Sequence, residues 1–368
     1  GDVYKRQEEL VPEEQVIVSI TNQGYIKRTA IDAYRKQGRG GKGVIGSDQK
    51  EGDFVQDIFT ASTHDYLLVF TTRGRVYWLK VYDIPAMART SRGRSLANLI
   101  KMQPNEEQRA VLPVSEFQER FVFFATAKGI VKKTPLGAFS RPRPSGIIAL
   151  TLDPDDQLIG VELTGGRDNI LLGTRNGLAI QFNEEDVRAM GRSARGVKGM
   201  TLSNDDRVVD MIVARPGVSV LTLCENGFGK RTGIEEYRLT HRGGKGVINI
   251  KTTERNGRVV AIKAVHDDDE LMITSANGIM LRTDLSSLRE IGRATQGVRV
   301  IRLEEGDRVA AVARIAPEDD DRPNEPPAEG APPNPMPETG QAPAEPPPSE
   351  RGETPNGTWT RGDPDAEA

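Results

Sequence analysis

One cysteine, Cys224, stands in 368 residues, so no disulfide within the chain can brace the fold. That absence fits a reducing compartment. No run approaches 18 apolar residues, and a membrane-spanning helix is therefore not expected. No charged start leads into an apolar stretch, so nothing reads as a signal peptide. The opening residues, GDVYKRQ, match nothing that follows, and residues 1–13 read as linker or non-native sequence. Aromatics are only 5% of the chain and hydrophobic residues 36%. The three histidines, His64, His241 and His266, are scattered, and no Cys/His spacing suggests zinc, so no metal is expected. Carboxylate runs such as Asp267–Asp268–Asp269 read as solvated loop.

What is present is charge, unevenly spread. The formal net charge of −3 combines a tail and a body of opposite sign. Residues 317–368 hold 13 acidic and 3 basic residues and 14 of the 23 prolines. Such a segment cannot bury enough apolar surface to offset its ordering entropy, and it is expected to be disordered. Residues 1–316 hold 47 basic and 40 acidic residues. A basic body with a flexible acidic tail suggests a polyanionic partner, with the tail as a possible competitor; a solubilising tail is the plainer reading.

The body repeats. A small turn ending in glycine recurs at Gly24, Gly74, Gly129, Gly177, Gly227 and Gly278, at spacings of 50, 55, 48, 50 and 51 residues. Each turn is preceded by a β-rich run, as in VIVSI (16–20), YLLVF (66–70) and VSVLTL (218–223), and followed by another, as in YIKR (25–28) and RVYWLK (75–80). Asn-Gly and its relatives supply the positive φ of a tight hairpin. A short polar segment follows, then a Gly/Arg-rich loop leading into a third strand, such as GKGVIG (41–46), SGIIAL (145–150), VKGMTL (197–202), GKGVINI (244–250) and GVRVIRL (297–303). A fourth strand closes the unit, as in FVQDIF (54–59) and RVVDMIV (207–213). Four strands repeated six times predict an all-β, six-bladed, propeller-like ring over 14–316. Tandem β-sandwiches are the rival, but a unit of this length is short for one.

The first Gly/Arg-rich loop is QGRGGKG (37–43), which spells G-x-G-x-x-G through Gly38, Gly40 and Gly43. A dinucleotide site needs a helix after the glycines, and VIGSDQKEGD has no amphipathic face. The later copy, THRGGKG (240–246), puts His241 where the first glycine would stand. A Walker-type loop fails too, since Lys36 occupies its first glycine position and Gly43 follows Lys42. The other units carry cationic loops at the same place: RTSRGRS (89–95), SRPRPSG (140–146), GRSARGVKG (191–199) and IGRATQG (291–297).

Six such loops at equal angular steps would make a basic rim. Its candidate contacts are Arg35, Lys36, Gln37, Gly38, Arg39, Gly40, Gly41, Lys42, Gly43, Arg92, Arg94, Arg141, Arg143, Arg192, Arg195, Lys198, Arg242, Lys245 and Arg293. The cations just past the turn glycines, Lys27, Arg28, Lys132, Lys133, Lys230, Arg231 and Arg282, are expected to reinforce it. The fit is to duplex DNA, whose phosphates release counterions when neutralised. Asparagine is absent from these loops and aromatics do not interleave with them, so binding should be largely independent of sequence. Contacts around a circumference imply a bent or wrapped duplex. A protein-interaction scaffold is an alternative, and a propeller enzyme would need carboxylates or histidines converging on the channel.

On these residues the chain resembles the C-terminal domain of bacterial DNA gyrase A. Gln37, Arg39, Gly40, Gly41, Lys42 and Gly43 match that family's signature box, Q-R-R-G-G-K-G, while Gly38 replaces an arginine. The approach, EQVIVSITNQGYIKRTAIDAYRKQ (14–37), is similar to the family's first blade. The resemblance implies a six-bladed β-pinwheel whose blades exchange strands and whose perimeter wraps DNA, supporting negative supercoiling by the gyrase holoenzyme. It implies the rest of gyrase A and the gyrase B protein as partners, a monomer for the isolated domain, and a bacterial cytoplasmic, nucleoid-associated location. It also implies no catalytic residue and no cofactor here, with ATP and Mg2+ used elsewhere. The related C-terminal domain of topoisomerase IV is the alternative.

Overall fold

A computed structural model of the chain describes residues 10–31, 53, 55–88, 90–277 and 279–315. The chain divides into two units, 1–326 and 327–368, and every described residue belongs to the first. The expected tail, 317–368, lies outside the described residues, as does the box at 37–43 with Arg35 and Lys36.

The six repeats appear as six blades. Repeat 1 contributes β1 (Gln15–Thr21), β2 (Tyr25–Ala30) and β3 (Val55–Ser62). Repeat 2 contributes β4 (Tyr66–Thr71), β5 (Arg75–Lys80), β6 (Arg94–Ser95) and β7 (Gln108–Val114). Repeat 3 contributes β8 (Phe121–Thr126), β9 (Ile130–Pro135), β10 (Ile147–Ile148) and β11 (Leu158–Thr164). Repeat 4 holds β12 (Asn169–Thr174), β13 (Leu178–Asn183), β14 (Val197–Lys198) and β15 (Val208–Ala214). Repeat 5 holds β16 (Ser219–Cys224), β17 (Phe228–Gly233), β18 (Leu239–Thr240), β19 (Val247–Ile248) and β20 (Val259–Val265). Repeat 6 holds β21 (Glu270–Ser275), β22 (Met280–Asp284), β23 (Val298–Arg299) and β24 (Val309–Ile315).

The first two strands of each repeat form a hairpin, as the turn glycines require. Gly24, Gly74, Gly129, Gly177 and Gly227 all take φ between 73° and 87°. The last strand of the repeat pairs antiparallel with the first, and in all six blades the register slips near the end of that pairing, for example at Gly173/Thr174 and Leu223/Cys224. A bulge at one fixed place adds twist to each blade in the same way.

The third strand is only two residues long and it leaves its own repeat. β6 pairs with β2, β10 with β5, β14 with β9, β19 with β13, and β23 with β17. Repeats 2 to 6 thus each add a strand to the blade before them. A recurrent set of hydrogen bonds fixes the exchange: the carbonyls of Gly24, Gly74, Gly129, Gly177 and Gly227 accept N–H groups from the residues just past the donated strand. Ala149 and Leu150 donate to Gly74 at 2.8 and 3.0 Å, and Asn249 and Ile250 to Gly177 at 2.8 and 3.1 Å. Among the described residues blade 6 has three strands, β22, β21 and β24. The equivalent donor in repeat 1, residues 41–46, lies outside the described residues.

The cores lie between blades. Leu68, Phe70 and Val76 of repeat 2 pack with Val122, Phe124, Leu136 and Phe139 of repeat 3. The Phe70 ring meets Phe124 edge-on at 5.5 Å and Phe139 at 6.0 Å. Such pairs add about 0.5–1.5 kcal/mol each beyond the area they bury. Equivalent cores join repeats 1 and 2, 3 and 4, 4 and 5, and 5 and 6. The last strand of each repeat is innermost, and β24 neighbours β3, which closes the ring.

Candidate nucleic-acid interface

The described basic loops reach their positions because a glycine in left-handed conformation, Gly93, Gly146, Gly196, Gly246 or Gly297, ends each one. Gly196 (φ +101°) precedes β14, and a Cβ there would lie 2.5 Å from the Val131 carbonyl oxygen. Gly246 (φ +78°) precedes β19, where a Cβ would lie 2.3 Å from the Ala179 oxygen. No other residue type fits this entry onto the neighbouring blade. The glycines that close the described loops therefore serve strand exchange first.

Loops 3 to 6 are hydrogen-bonded into one track, and loop 2 lies before it in the same place on its repeat. Thr151, just past β10, donates its hydroxyl to Ser193 O at 2.8 Å in the next loop. Thr201 repeats this one blade on, donating its hydroxyl to Gly243 O at 2.6 Å and its N–H to Gly244 O at 2.8 Å. Lys251 N–H continues to Thr295 O at 2.9 Å. Arginines add stitches: Arg242 donates to Asp186 O and Lys198 O, and Arg293 donates to Ile248 O at 2.9 Å.

On these loops Arg94, Arg141, Arg143, Arg195, Lys198 and Lys245 are exposed. Arg92, Arg192, Arg242 and Arg293 are half-buried. Arg92 lies over the Tyr25 ring at 3.7 Å and donates to Gln23. Arg195 pairs with Asp153 and holds that carboxyl below its ordinary range. A cleft of about 410 Å3 opens where loops 3 and 4 meet, lined by Arg75, Arg143, Gly146, Ile147, Ile148, Arg192 and Ser193. Arg75 reads from the sequence only as a strand residue. It follows the turn glycine directly and donates to Ser145 O at 2.7 Å, which carries it to the loop. Arg299, on β23 and over the Phe228 ring at 5.0 Å, escapes sequence reasoning for the same reason.

The hairpin cations are a correction. Lys27, Lys132, Lys133, Lys230 and Arg231 are buried, and Arg28 is half-buried. Their polar ends bond inside the blade: Lys27 to Ser91 O at 2.6 Å, Lys132 to Ala149 O at 2.6 Å, Lys230 to Arg293 O at 2.7 Å, and Lys133 to Glu184 O at 2.9 Å. Arg28 donates to Ile84 O at 2.7 Å and Arg231 pairs with Asp267. Alternation on a strand turns one residue of each Lys/Arg pair to either face, and both faces of these blades are covered. Arg282 is exposed but paired with Glu270.

Two acidic features also differ from expectation. Asp269 is buried and accepts the His266 N–H at 2.7 Å, so it closes a turn rather than facing solvent. Toward the ring axis, Asp57, Glu162 and Asp210 from three innermost strands share the field of Lys263, which pairs with Asp210 at 2.8 Å. Crowding by the surrounding inner strands raises the Asp57 carboxyl and pushes Glu162 up to about 7, with Lys263 opposing both, although Asp57 is only half-buried and Glu162 is exposed to the channel. Period-two alternation hides these carboxylates, because only ring closure brings them together. Among the described residues no group of three or more His, Cys, Asp or Glu side chains is arranged to hold a metal, and no helix is long and apolar enough to cross a membrane.

Comparison with known proteins gives a consistent result. The family described as DNA gyrase C-terminal domain, beta-propeller, matches at residues 15–62, 65–115, 120–164, 168–215, 219–266 and 269–316, one match per repeat. The DNA gyrase A protein of Klebsiella oxytoca is 46% identical over 315 residues, covering 85% of this chain and 36% of that protein. The chain thus spans about a third of the length of the relatives it matches. A crystal structure of the C-terminal domain of DNA topoisomerase IV superposes with a TM-score of 0.73 at 28% identity, covering 83% of this chain and 94% of that one. A structure of the DNA gyrase A C-terminal domain gives 0.65 at 27% identity, covering 82% and 100%.

Proposed function

The chain belongs to the DNA gyrase C-terminal domain family, and from that premise we propose that it binds duplex DNA along the loop track and wraps it, without reading sequence. The observation that carries this is the track itself: basic loops 3 to 6 tied edge to edge, with exposed Arg141, Arg143, Arg195, Lys198 and Lys245 along it and exposed Arg94 on the loop before it. A series of point charges at a regular pitch suits phosphates. A partner that neutralises 6–10 phosphates loses roughly 10³–10⁵ in affinity between 50 and 200 mM salt. Bending a site of 20–30 bp costs on the order of 1–6 kcal/mol, which contacts spread around a circumference can offset.

Within a complete enzyme, the wrapped segment would be presented for strand passage and so support negative supercoiling. Cleavage and ATP hydrolysis would reside in the remainder of gyrase A and in gyrase B, with this chain non-catalytic and without a cofactor of its own. A bacterial cytoplasmic setting and a monomeric isolated domain go with that reading. The 46% identity to a gyrase A protein supports the gyrase reading, while the solved topoisomerase IV and gyrase A domains, at 28% and 27% identity, share the fold alike.

The test is binding to linear duplexes of increasing length at several salt concentrations, together with ligation of circles carrying the bound domain. Wrapping gives length-dependent affinity, a steep salt slope and a superhelical shift in the ligated products. Tight binding without a shift would leave a simple DNA-binding ring and sink the wrapping claim. In the same assay the double substitution Arg39→Ala, Lys42→Ala should abolish the shift without changing the melting temperature. A topoisomerase IV-type domain would bind without the shift even when the box is intact.

A further inference from the structure

The residue three places after each turn glycine alternates in kind around the ring. It is Lys27, Lys132 and Lys230 in blades 1, 3 and 5, and Tyr77, Ile180 and Leu281 in blades 2, 4 and 6. Each of the three lysines is buried, and each sends its ammonium under the loop donated by the next repeat. Lys27 bonds Ser91 O at 2.6 Å, the residue before Arg92. Lys132 bonds the carbonyl of Arg192 itself, and Lys230 bonds those of Gly292 and Arg293 at 2.8 and 2.7 Å. A second tie recurs beside each one: the N–H groups of Met87, Met190 and Ile291 bond the carbonyls of Arg28, Lys133 and Arg231 at 3.0, 2.8 and 2.9 Å. In blades 2 and 4 the loop instead lies against apolar atoms. A Cβ on Gly146 would meet the Tyr77 ring at 2.6 Å, and one on Gly244 would meet Ile180 Cδ1 at 3.4 Å.

We propose that Lys27, Lys132 and Lys230 are positioning residues, buried ammonium clamps that fix the backbone from which the rim arginines Arg92, Arg192 and Arg293 project, so that three of the described loops are held by charge and the two over blades 2 and 4 by apolar packing. The proposal rests on the rim being the DNA surface. Charge-assisted bonds are roughly twice as strong as neutral ones, so an ammonium holds carbonyls that an amine would hold weakly. Burial drives two of the three down, Lys132 to about 7 with the Arg192 guanidinium adding to the effect, and Lys230 to about 8. Around Lys132 the facing groups are Arg192 and the Phe124 ring; around Lys230 they are Glu236, which favours the charge, Arg293, which opposes it, and Cys224, a thiol itself raised to about 12.

The sign of the pH effect separates a clamp from a stabilising core residue. A lysine lowered in the folded state destabilises the fold below its folded value, and that loss is relieved as pH rises toward its ordinary value near 10.5. Global stability from these groups therefore rises above neutral pH, while the charge-assisted hold on the loops weakens. Hydrogen exchange on the wild-type chain, corrected for intrinsic rates, tests this without any substitution. Between pH 6.5 and 9, protection of the loops at 190–195 and 290–296 should fall several-fold, while the loops at 141–146 and 241–246 hold steady.

Lys230→Met, which gives blade 5 the apolar filling of blades 2 and 4, should raise exchange in 290–296 about tenfold at pH 6.5. It should remove the pH response of that loop and weaken duplex binding several-fold. Equal pH responses in the two loop classes, or an unchanged loop in Lys230→Met, would overturn the clamp. Altered loop exchange with no DNA binding by the wild-type chain would leave the clamp standing and defeat the DNA reading instead.

Discussion

Blades 3 and 4 share a fold, a register and a bulge, yet they treat the same position in opposite ways. In blade 3, Lys132 is fully buried beneath carbonyls of its own and the next repeat; in blade 4, Ile180 fills the equivalent place with no polar group at all. Both loops above enter their exchanged strand through a left-handed glycine, Gly196 and Gly246. The ring therefore separates two tasks that one repeat pattern would otherwise merge. Glycine geometry delivers each loop to its neighbour, and the residue beneath decides whether charge or apolar contact holds it there.

The sharpest way to break this contrast is to put the lysine on the wrong side of it. Ile180→Lys buries an ammonium under a loop built to lie on apolar atoms, and it should cost about 4 kcal/mol or more, read as a lower denaturant midpoint. Near-normal stability would mean that either kind of loop can accept a clamp. Next in size are Gly196→Ala and Gly246→Ala, each expected to cost about 1–3 kcal/mol through strained backbone. Similar losses in the two would confirm that strand entry is common to both loop classes, whereas a loss in only one would tie the glycine to its clamp.

A smaller effect comes from the ring axis, where the crowded inner strands act on carboxylates that solvent still reaches. Glu162 is raised from its ordinary 4.5 to about 7, so the folded state binds its proton more tightly than the unfolded state does. Its contribution is complete below pH 4.5 and is lost as pH rises through about 7. Glu162→Gln should flatten the fall in melting temperature over that window, and an unchanged pH profile would show the channel to be solvated enough to screen it. This runs opposite to the buried lysines, whose contribution to stability grows with pH. Smallest in stability is Arg195→Ala on the exposed track, within about 0.5 kcal/mol of the parent. Its effect belongs to binding: weaker affinity for all duplexes alike and a salt slope reduced by about 1.

The architecture was legible because hairpin turns and apolar runs repeat at a fixed spacing, and each repeat is a local pattern. The bulged last strands and the turn glycines fell where the sequence put them. The third strands were overread: SGIIAL and GKGVINI suggest six or seven residues, but only Ile147–Ile148 and Val247–Ile248 pair, because the chain then turns to cap Gly74 and Gly177. The exposure of the loop cations Arg94, Arg143, Lys198 and Lys245 was legible in composition, since they are solvated charge between strands. The hairpin lysines misled for the same reason. A Lys-Arg-Thr or Lys-Lys-Thr run looks like surface, and nothing local reveals that the next repeat will fold its carbonyls over Lys132 and Lys230. The alternation itself was in the sequence, as IKRT, VKKT and GKRT against VYWL, AIQF and MLRT, and a comparison of repeats position by position would have exposed it.

The most direct test of the account is lysine modification of the whole chain, mapped by mass spectrometry with and without a long linear duplex. Lys198 and Lys245 should react freely and become protected by DNA at low salt, while Lys27, Lys132 and Lys230 stay unreactive in both states. Protection absent from Lys198 and Lys245, or ready modification of Lys132 and Lys230 that DNA suppresses, would contradict a DNA path over the loops and return it to the hairpins.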